Sequence, residues 1–206
     1  MNLNISSYCV IRNNTCSVNG EPMFQADVNM SSYDFLTALY RNSQIQYPKF
    51  FKMDTLSKLG FLASEFVLKN TELHGDTPNY STVQIFANSA SSLQTDCEYQ
   101  QTIGAEYFPS PSVFVYTLPN IVMGEIAIKH KLYGENTFFV QKSFDNSAFF
   151  QYIYQVFLQD SVTYALVGWI DYYKHTCEAC VMLVEKTNEV CSLPFTKKNS
   201  LHLYNL

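Results

Sequence analysis

The sequence predicts an α/β layered fold, and three observations carry that prediction. Runs with strand character alternate with apolar helical runs along most of the chain. Apolar residues make up 47% of the 206 residues and charged residues only 15%, which argues against disorder. Sixteen phenylalanines and fifteen tyrosines demand a large, bulky core. The length suits one such core, so residues 1–206 are read as a single domain.

Taken in order, Tyr8–Ile11 and Cys16–Val18 form an opening hairpin, with Asn13 and Asn14 supplying the turn. Ser31–Arg41 is a helix or irregular segment in which Tyr33, Phe35, Leu36, Leu39 and Tyr40 pack, and Tyr47-Pro48-Lys49 breaks it. From Met53 to Asn70 the signal is stronger. Leu56, Leu59, Leu62, Ala63, Phe66 and Val67 fall at helical spacing, with Asp54 or Thr55 as cap. His74–Asn79 is a turn-rich loop, and Tyr80–Phe86 alternates as a strand does. Asn88–Thr102 is polar and rich in small residues. Asp96 and Glu98 lie there without a second catalytic group beside them, so they are read as solvated carboxylates.

The stretch Ser110–Phe144 organises the rest. Ile121, Val122, Met123, Ile126, Ala127 and Ile128 leave no wide polar face, which places their helix inside the protein. Thr117 is the expected N-cap and Pro119 fits the first turn. Gly124 costs about 1 kcal/mol in a helix interior, so close approach by another backbone is expected there. Lys129, His130 and Lys131 sit at the C-terminal end, where cations favour the helix dipole. Gly134 ends the segment, Thr137–Val140 is a short buried strand, and a sharp turn leads into a second helix over Asn146–Leu158. Thr163–Ile170 and Cys177–Glu185 are the last strands. The tail from about Ser192 is expected to be ordered only in part.

Composition also excludes classes. The net charge is −5 and no basic run exceeds Lys197-Lys198, against nucleic-acid binding. No apolar stretch approaches the ~20 residues of a membrane span. The start, MNLNISSYC, lacks the pattern of a secretory signal, so a cytoplasmic chain with reduced thiols is expected. Cys177-Glu-Ala-Cys180, with His175 just before and Cys191 after, superficially suggests a metal site. As part of a strand, however, the motif points its two thiols to opposite faces, and structural cysteines are the better reading. No metal and no cofactor is expected.

The run YTLPNIVMGEIAIKHKLYGEN is similar to a segment of the β-ketoacyl synthases, condensing enzymes of the thiolase fold. The matched pattern is TLPN, then GEIA, then G-x-N, then a strand leading to the family's nucleophile. Counting ten positions inclusively from Gly134 lands on Ser143. The family's strand ending in Gly-Gly lines up with Ala165-Leu166-Val167-Gly168-Trp169. The resemblance is strongest from Tyr80 to Glu185 and weaker from Tyr47 to Asn70. It implies a thiolase-like layered fold, a single N-terminal-type half with a mixed, mostly five-stranded sheet and helices on both faces.

In that family a cysteine thiolate at a helix N-terminus accepts the acyl group, and two histidines and a lysine from a C-terminal half support the condensation. This chain carries Ser143 at the nucleophile position, Lys142 before it and bulky Phe144 after it. The resemblance makes Lys142, Phe144, Asn120 and Gly124 the pocket or elbow neighbours. A serine hydroxyl is barely ionised at neutral pH without an adjacent base. Phe144 is expected to fill the pocket, and Ser143 could equally be a small helix-capping residue. The resemblance therefore implies a catalytically inactive partner or scaffold subunit in fatty-acid, polyene or polyketide biosynthesis. Its expected partners are a second copy or an active ketoacyl synthase, with an acyl carrier protein as a further candidate. The alternative is an acyltransferase or hydrolase working through Ser143 on acyl-carrier-protein or coenzyme A thioesters, with His130 or His175 as base.

Overall fold

The computed structural model describes residues 2–69, 71, 73, 77–104, 108–174, 176–189 and 192–206. Among these residues seven strands form one mixed sheet: β1 (Asn2–Arg12), β2 (Thr15–Val18), β3 (Glu21–Gln25), β4 (Thr82–Asn88), β5 (Asn136–Val140), β6 (Tyr164–Tyr173) and β7 (Thr176–Thr187). Their spatial order is β3-β2-β1-β7-β6-β4-β5. β4 pairs in parallel with both β5 and β6, and the remaining neighbours are antiparallel. The sheet thus has seven strands, not five.

Part of that difference is β3. Its sequence, EPMFQ, neither alternates nor runs apolar, and Pro22 is tolerated only where no ladder partner needs an N–H. β3 satisfies this by lying at the sheet edge. β1 also extends well beyond Tyr8–Ile11, pairing with β7 through Asn2–Ile11. The hairpin turn is as expected: Asn13 and Asn14 take φ of 50° and 55°, the left-handed pair that a two-residue hairpin loop needs.

Helices cover both faces. On one lie α1 (Ser32–Asn42), α2 (Thr55–Leu68) and α5 (Ile121–His130), packed with Phe86, Leu166, Ile170 and Val181. On the other lie α6 (Ser147–Val156) and α7 (Lys197–Tyr204), packed with Val83, Ile85, Val167 and Met182. β4 is therefore buried along its whole length, with Thr82, Gln84 and Phe86 facing one layer and Val83, Ile85 and Ala87 the other. α2 is buried from Leu56 to Leu68, and Asp54 caps it by accepting from the Ser57 N–H. A short 3-10 helix (Pro48–Lys52), α3 (Leu93–Gln101) and α4 (Pro111–Phe114) complete the chain.

Three expectations for the helix of the Ser110–Phe144 stretch are corrected. Asn120, not Thr117, precedes α5, and the Thr117 hydroxyl instead donates to the Phe114 carbonyl at 2.8 Å. α5 is only half buried: Val122, Met123 and Ile126 pack inward while Ile128 is 56% exposed. Among the described residues, nothing beyond the backbone of α5 itself and the two adjoining residues lies within 4 Å of where a Cβ on Gly124 would sit. Gly124 is exposed, so its conformational freedom is a cost without a packing return. Gly124→Ala is expected to stabilise the fold by about 0.5–1 kcal/mol, read as a raised urea midpoint at unchanged slope.

The close approach belongs to other glycines of the frame. A Cβ on Gly134 would meet the Thr82 carbonyl oxygen at 2.0 Å, and one on Gly168 the Cys180 carbonyl oxygen at 2.4 Å. β5 is a half-exposed edge strand rather than a buried one, since among the described residues β4 is its one neighbour. The described residues of the tail pair with β1 and form α7. Phe195 N–H donates to the Leu3 carbonyl at 2.8 Å, and Thr196 caps α7.

Candidate functional site

The three parallel strands end on the same side of the sheet, and the chain leaves β4 for one neighbour and returns past it to the other. A crevice at the carboxyl ends of such strands is where open α/β sheets bind ligands. Here it is a cleft of about 360 Å³. Ser89 follows β4, Lys142, Ser143, Phe144 and Asp145 follow β5, Trp169 and Asp171 lie in the second half of β6, and Glu178 faces them from β7. Leu201, Tyr204 and Asn205 close it from α7.

The Ser143 turn is built by local hydrogen bonds. The Gln141 N–H donates to the Asn88 carbonyl at 2.8 Å, carrying the β5 pairing one residue past the strand. The Gln141 side-chain amide donates to the Ser143 carbonyl at 3.2 Å, and the Asn146 N–H to the Phe144 carbonyl at 2.8 Å. Asn146, not Ser143, caps α6, accepting from the Ala148 N–H at 2.9 Å. Asp145 and Asn146 lengthen the turn, so Ser143 lies short of the helix terminus and is exposed. Phe144 points the other way. It is 2% exposed, with ring centroids 5.4 Å from Phe150, 5.9 Å from Phe149, 6.1 Å from Trp169 and 5.3 Å from Tyr204.

Two carboxylates floor the cleft, and Asp171 and Glu178 are register partners across β6 and β7. Like charges directly opposite one another are destabilising. The structure answers with donors. Asp171 accepts from the Ser89 hydroxyl at 2.5 Å and from the Ser89 and Ala90 N–H groups at 3.3 Å. Glu178 accepts from Trp169 Nε1 at 3.2 Å, from the Tyr204 hydroxyl at 2.6 Å and from Arg12 Nε at 3.0 Å. Burial, and then the bond to Glu178, push the Tyr204 pKa well above the ordinary phenol value, so this hydroxyl stays a donor.

Among the described residues lining the cleft there is no imidazole. His130 lies on the opposite face, where its Nε2 is 2.5 Å from Glu65 Oε1 and both residues are buried. His202 is exposed on α7 and does not line the cleft, and His175 lies outside the described residues. Asn120, at the start of α5, and Gly124 within it are likewise absent from the cleft wall, while Lys142 stands exposed at its mouth. Cys177 and Cys180 fall on opposite sheet faces. Burial pushes their thiols up, to about 11 and about 12. No group of three or more possible metal ligands occurs among the described residues, and Cys191 lies outside them.

Sequence reading missed Ser89, Trp169, Asp171, Glu178, Tyr204 and Arg12. One signal was available. Asp171 is the carboxylate that closes the apolar run ALVGWI, a charge at a strand's carboxyl end. Nothing in KKNSLHLY predicted that α7 would wall the cleft.

The chain therefore has the thiolase-like fold of ketosynthases, a mixed sheet between helical layers with its crevice at the end of β5. No protein-family model matches the sequence, and no curated protein matches it. Among solved structures it is similar to a chain of the ketosynthase ApeO in complex with its chain length factor ApeC from Xenorhabdus doucetiae, at 12% identity and a TM-score of 0.59, over 91% of this chain and 80% of that one. It is also similar to the ishigamide ketosynthase/chain length factor, at 14% identity and 0.63, over 92% and 63%. A third is AntDE:AntF, a type II PKS acyl-carrier protein in complex with its ketosynthase bound to the hexaketide, at 11% and 0.66, over 90% and 62%. The chain spans less than two thirds of the latter two. At such identities the likeness is one of fold.

Proposed function

We propose that this chain is a ketosynthase-fold partner subunit, without condensing activity of its own, in the assembly of a polyketide, polyene or fatty acyl chain. Residues 1–206 act as one domain, in the cytoplasm. The observation that carries this reading is the turn after β5. The nucleophile position holds an exposed serine with no imidazole beside it among the described residues, and the next residue fills the space beneath with a buried ring. The donors around Asp171 and Glu178 are already engaged with those two carboxylates. Serine acyl transfer needs a base within hydrogen-bond reach, so the acyltransferase or hydrolase reading is the weaker one.

A partner is supported by the sheet edges. β3 carries Pro22, and a register shift separates Cys16 from Ser17 in its neighbour β2, devices that discourage further pairing. β5 has neither proline nor charge, and Val140 is 57% exposed. The segment leading into β5 leaves Phe114, Val115, Leu118 and Ile128 exposed as well. An unblunted edge, in a chain that also exposes these apolar side chains, fits pairing with a second ketosynthase-type subunit, an active synthase or another copy. Two of the similar structures pair a ketosynthase with a chain length factor, and the third includes an acyl carrier protein. The reading extends the same partners to this chain.

Intact mass after incubation with malonyl- and acyl-carrier-protein thioesters tests the proposal, with Ser143→Ala as control. Unmodified protein is the expected result for both. An acyl adduct on the wild type that disappears in Ser143→Ala would replace the partner-subunit reading with a serine acyl-enzyme.

A further inference from the structure

α7 covers the cleft, yet its hold on the body is uneven. Just before it the chain is firmly tied: Ile5 N–H donates to the Leu193 carbonyl and Phe195 N–H to the Leu3 carbonyl, both at 2.8 Å. The Tyr154 hydroxyl donates to the Phe195 carbonyl at 2.8 Å. Beyond Thr196 the ties change character. Lys197 reaches Asp145 and the Ser147 hydroxyl, two exposed residues flanking the Ser143 turn, and such surface contacts hold weakly. Ser200 is fully buried, and its hydroxyl has no hydrogen-bond partner, so docking α7 strips water from a group that recovers nothing. The strong points are Leu203, 4% exposed in the core beside α6, and Tyr204, with its hydroxyl on Glu178 and the Arg12 guanidinium 4.6 Å above its ring. Eight residues are too few for a helix to hold its shape unaided in water.

We infer that α7 is a strap, pivoting after Phe195, that closes the carboxyl-end cleft in the free chain and lifts off it without unfolding the sheet. Lifting bares Phe144, Trp169 and the Asp171–Glu178 floor, so the strap regulates access to the same cleft. It operates whether or not Ser143 can be acylated, and its test is independent of that chemistry.

Trp169 makes the test direct, because it is the one tryptophan in the sequence, is 3% exposed, and lines the cleft that α7 covers. Acrylamide quenching of its fluorescence and amide hydrogen exchange across residues 197–206 would be measured together on the full chain. Tyr204→Phe removes the hydroxyl held by Glu178 and leaves the ring. It is expected to speed exchange in α7 about tenfold and to raise Trp169 quenching, with β6 and β7 amides unchanged. Ser200→Ala removes the unpaired hydroxyl and is expected to slow α7 exchange by a similar factor. Two outcomes overturn the strap. In one, α7 exchanges as slowly as β6 and β7, and both variants move helix and sheet together. In the other, α7 exchange rises in Tyr204→Phe while Trp169 quenching stays at the wild-type value.

Discussion

Phe144→Ala is expected to cost the fold about 3–5 kcal/mol and to change what the cleft can hold. The ring touches Phe149 and Phe150 on α6, Trp169 on β6 and Tyr204 on α7, so its removal unpacks three elements at once. Of those neighbours, Phe149 and Phe150 are anchored by α6 and cannot collapse far into the gap. A cavity should remain, opening beside Ser143. Urea unfolding measures the first effect. For the second, a fluorescent fatty-acyl probe should bind the variant and not the wild type. Equal binding by both proteins would mean that the Phe144 ring does not close an acyl-sized space.

Gly134→Ala should be as damaging, by a different route. Gly134 lies where the chain from α5 runs against the start of β4: Tyr133 N–H donates to the Asn79 carbonyl at 2.7 Å, Asn79 N–H to the Lys131 carbonyl at 2.9 Å, and Gln84 N–H to the Glu135 carbonyl at 2.9 Å. A methyl group there would fall 2.0 Å from the Thr82 carbonyl oxygen, and backbone cannot step aside as a side-chain tip can. A loss of roughly 4 kcal/mol or more is expected. Because the strain falls at the entrance of β5, exchange at Thr137–Val140 should rise before that at β6 and β7. Uniform loss of protection would place the strain elsewhere.

Local signals in the sequence were legible where one residue decides a conformation. Asp54 before α2 and the Asn13-Asn14 turn act as their chemistry dictates, whereas the caps of α1 and α6, Ser31 and Asn146, went unread and Thr117 does not cap α5. The resemblance around Gly134 and Gly168 also identified the layered fold. Other features depended on tertiary neighbours. Whether Ile128 and Gly124 face a partner or solvent is decided by how much of α5 the α2 layer can cover, and the 3.6-residue period says nothing about that. β3 and α7 lack apolar periodicity because each serves the edge of the structure rather than its centre. The carboxylates of the cleft come from β6 and β7, and only the register between those strands brings them together.

The unequal borders of the sheet carry a consequence for stoichiometry. A sheet open at both borders can recruit copy after copy and grow into a fibre. Here Pro22 and the neighbouring shift in register stop growth on one side, leaving Asn136–Val140 as the accessible border. If two such sheets join along it, each presents only its blunted border outward, and nothing remains for a third to add to. Residues far from the joining surface would thus cap the count at two.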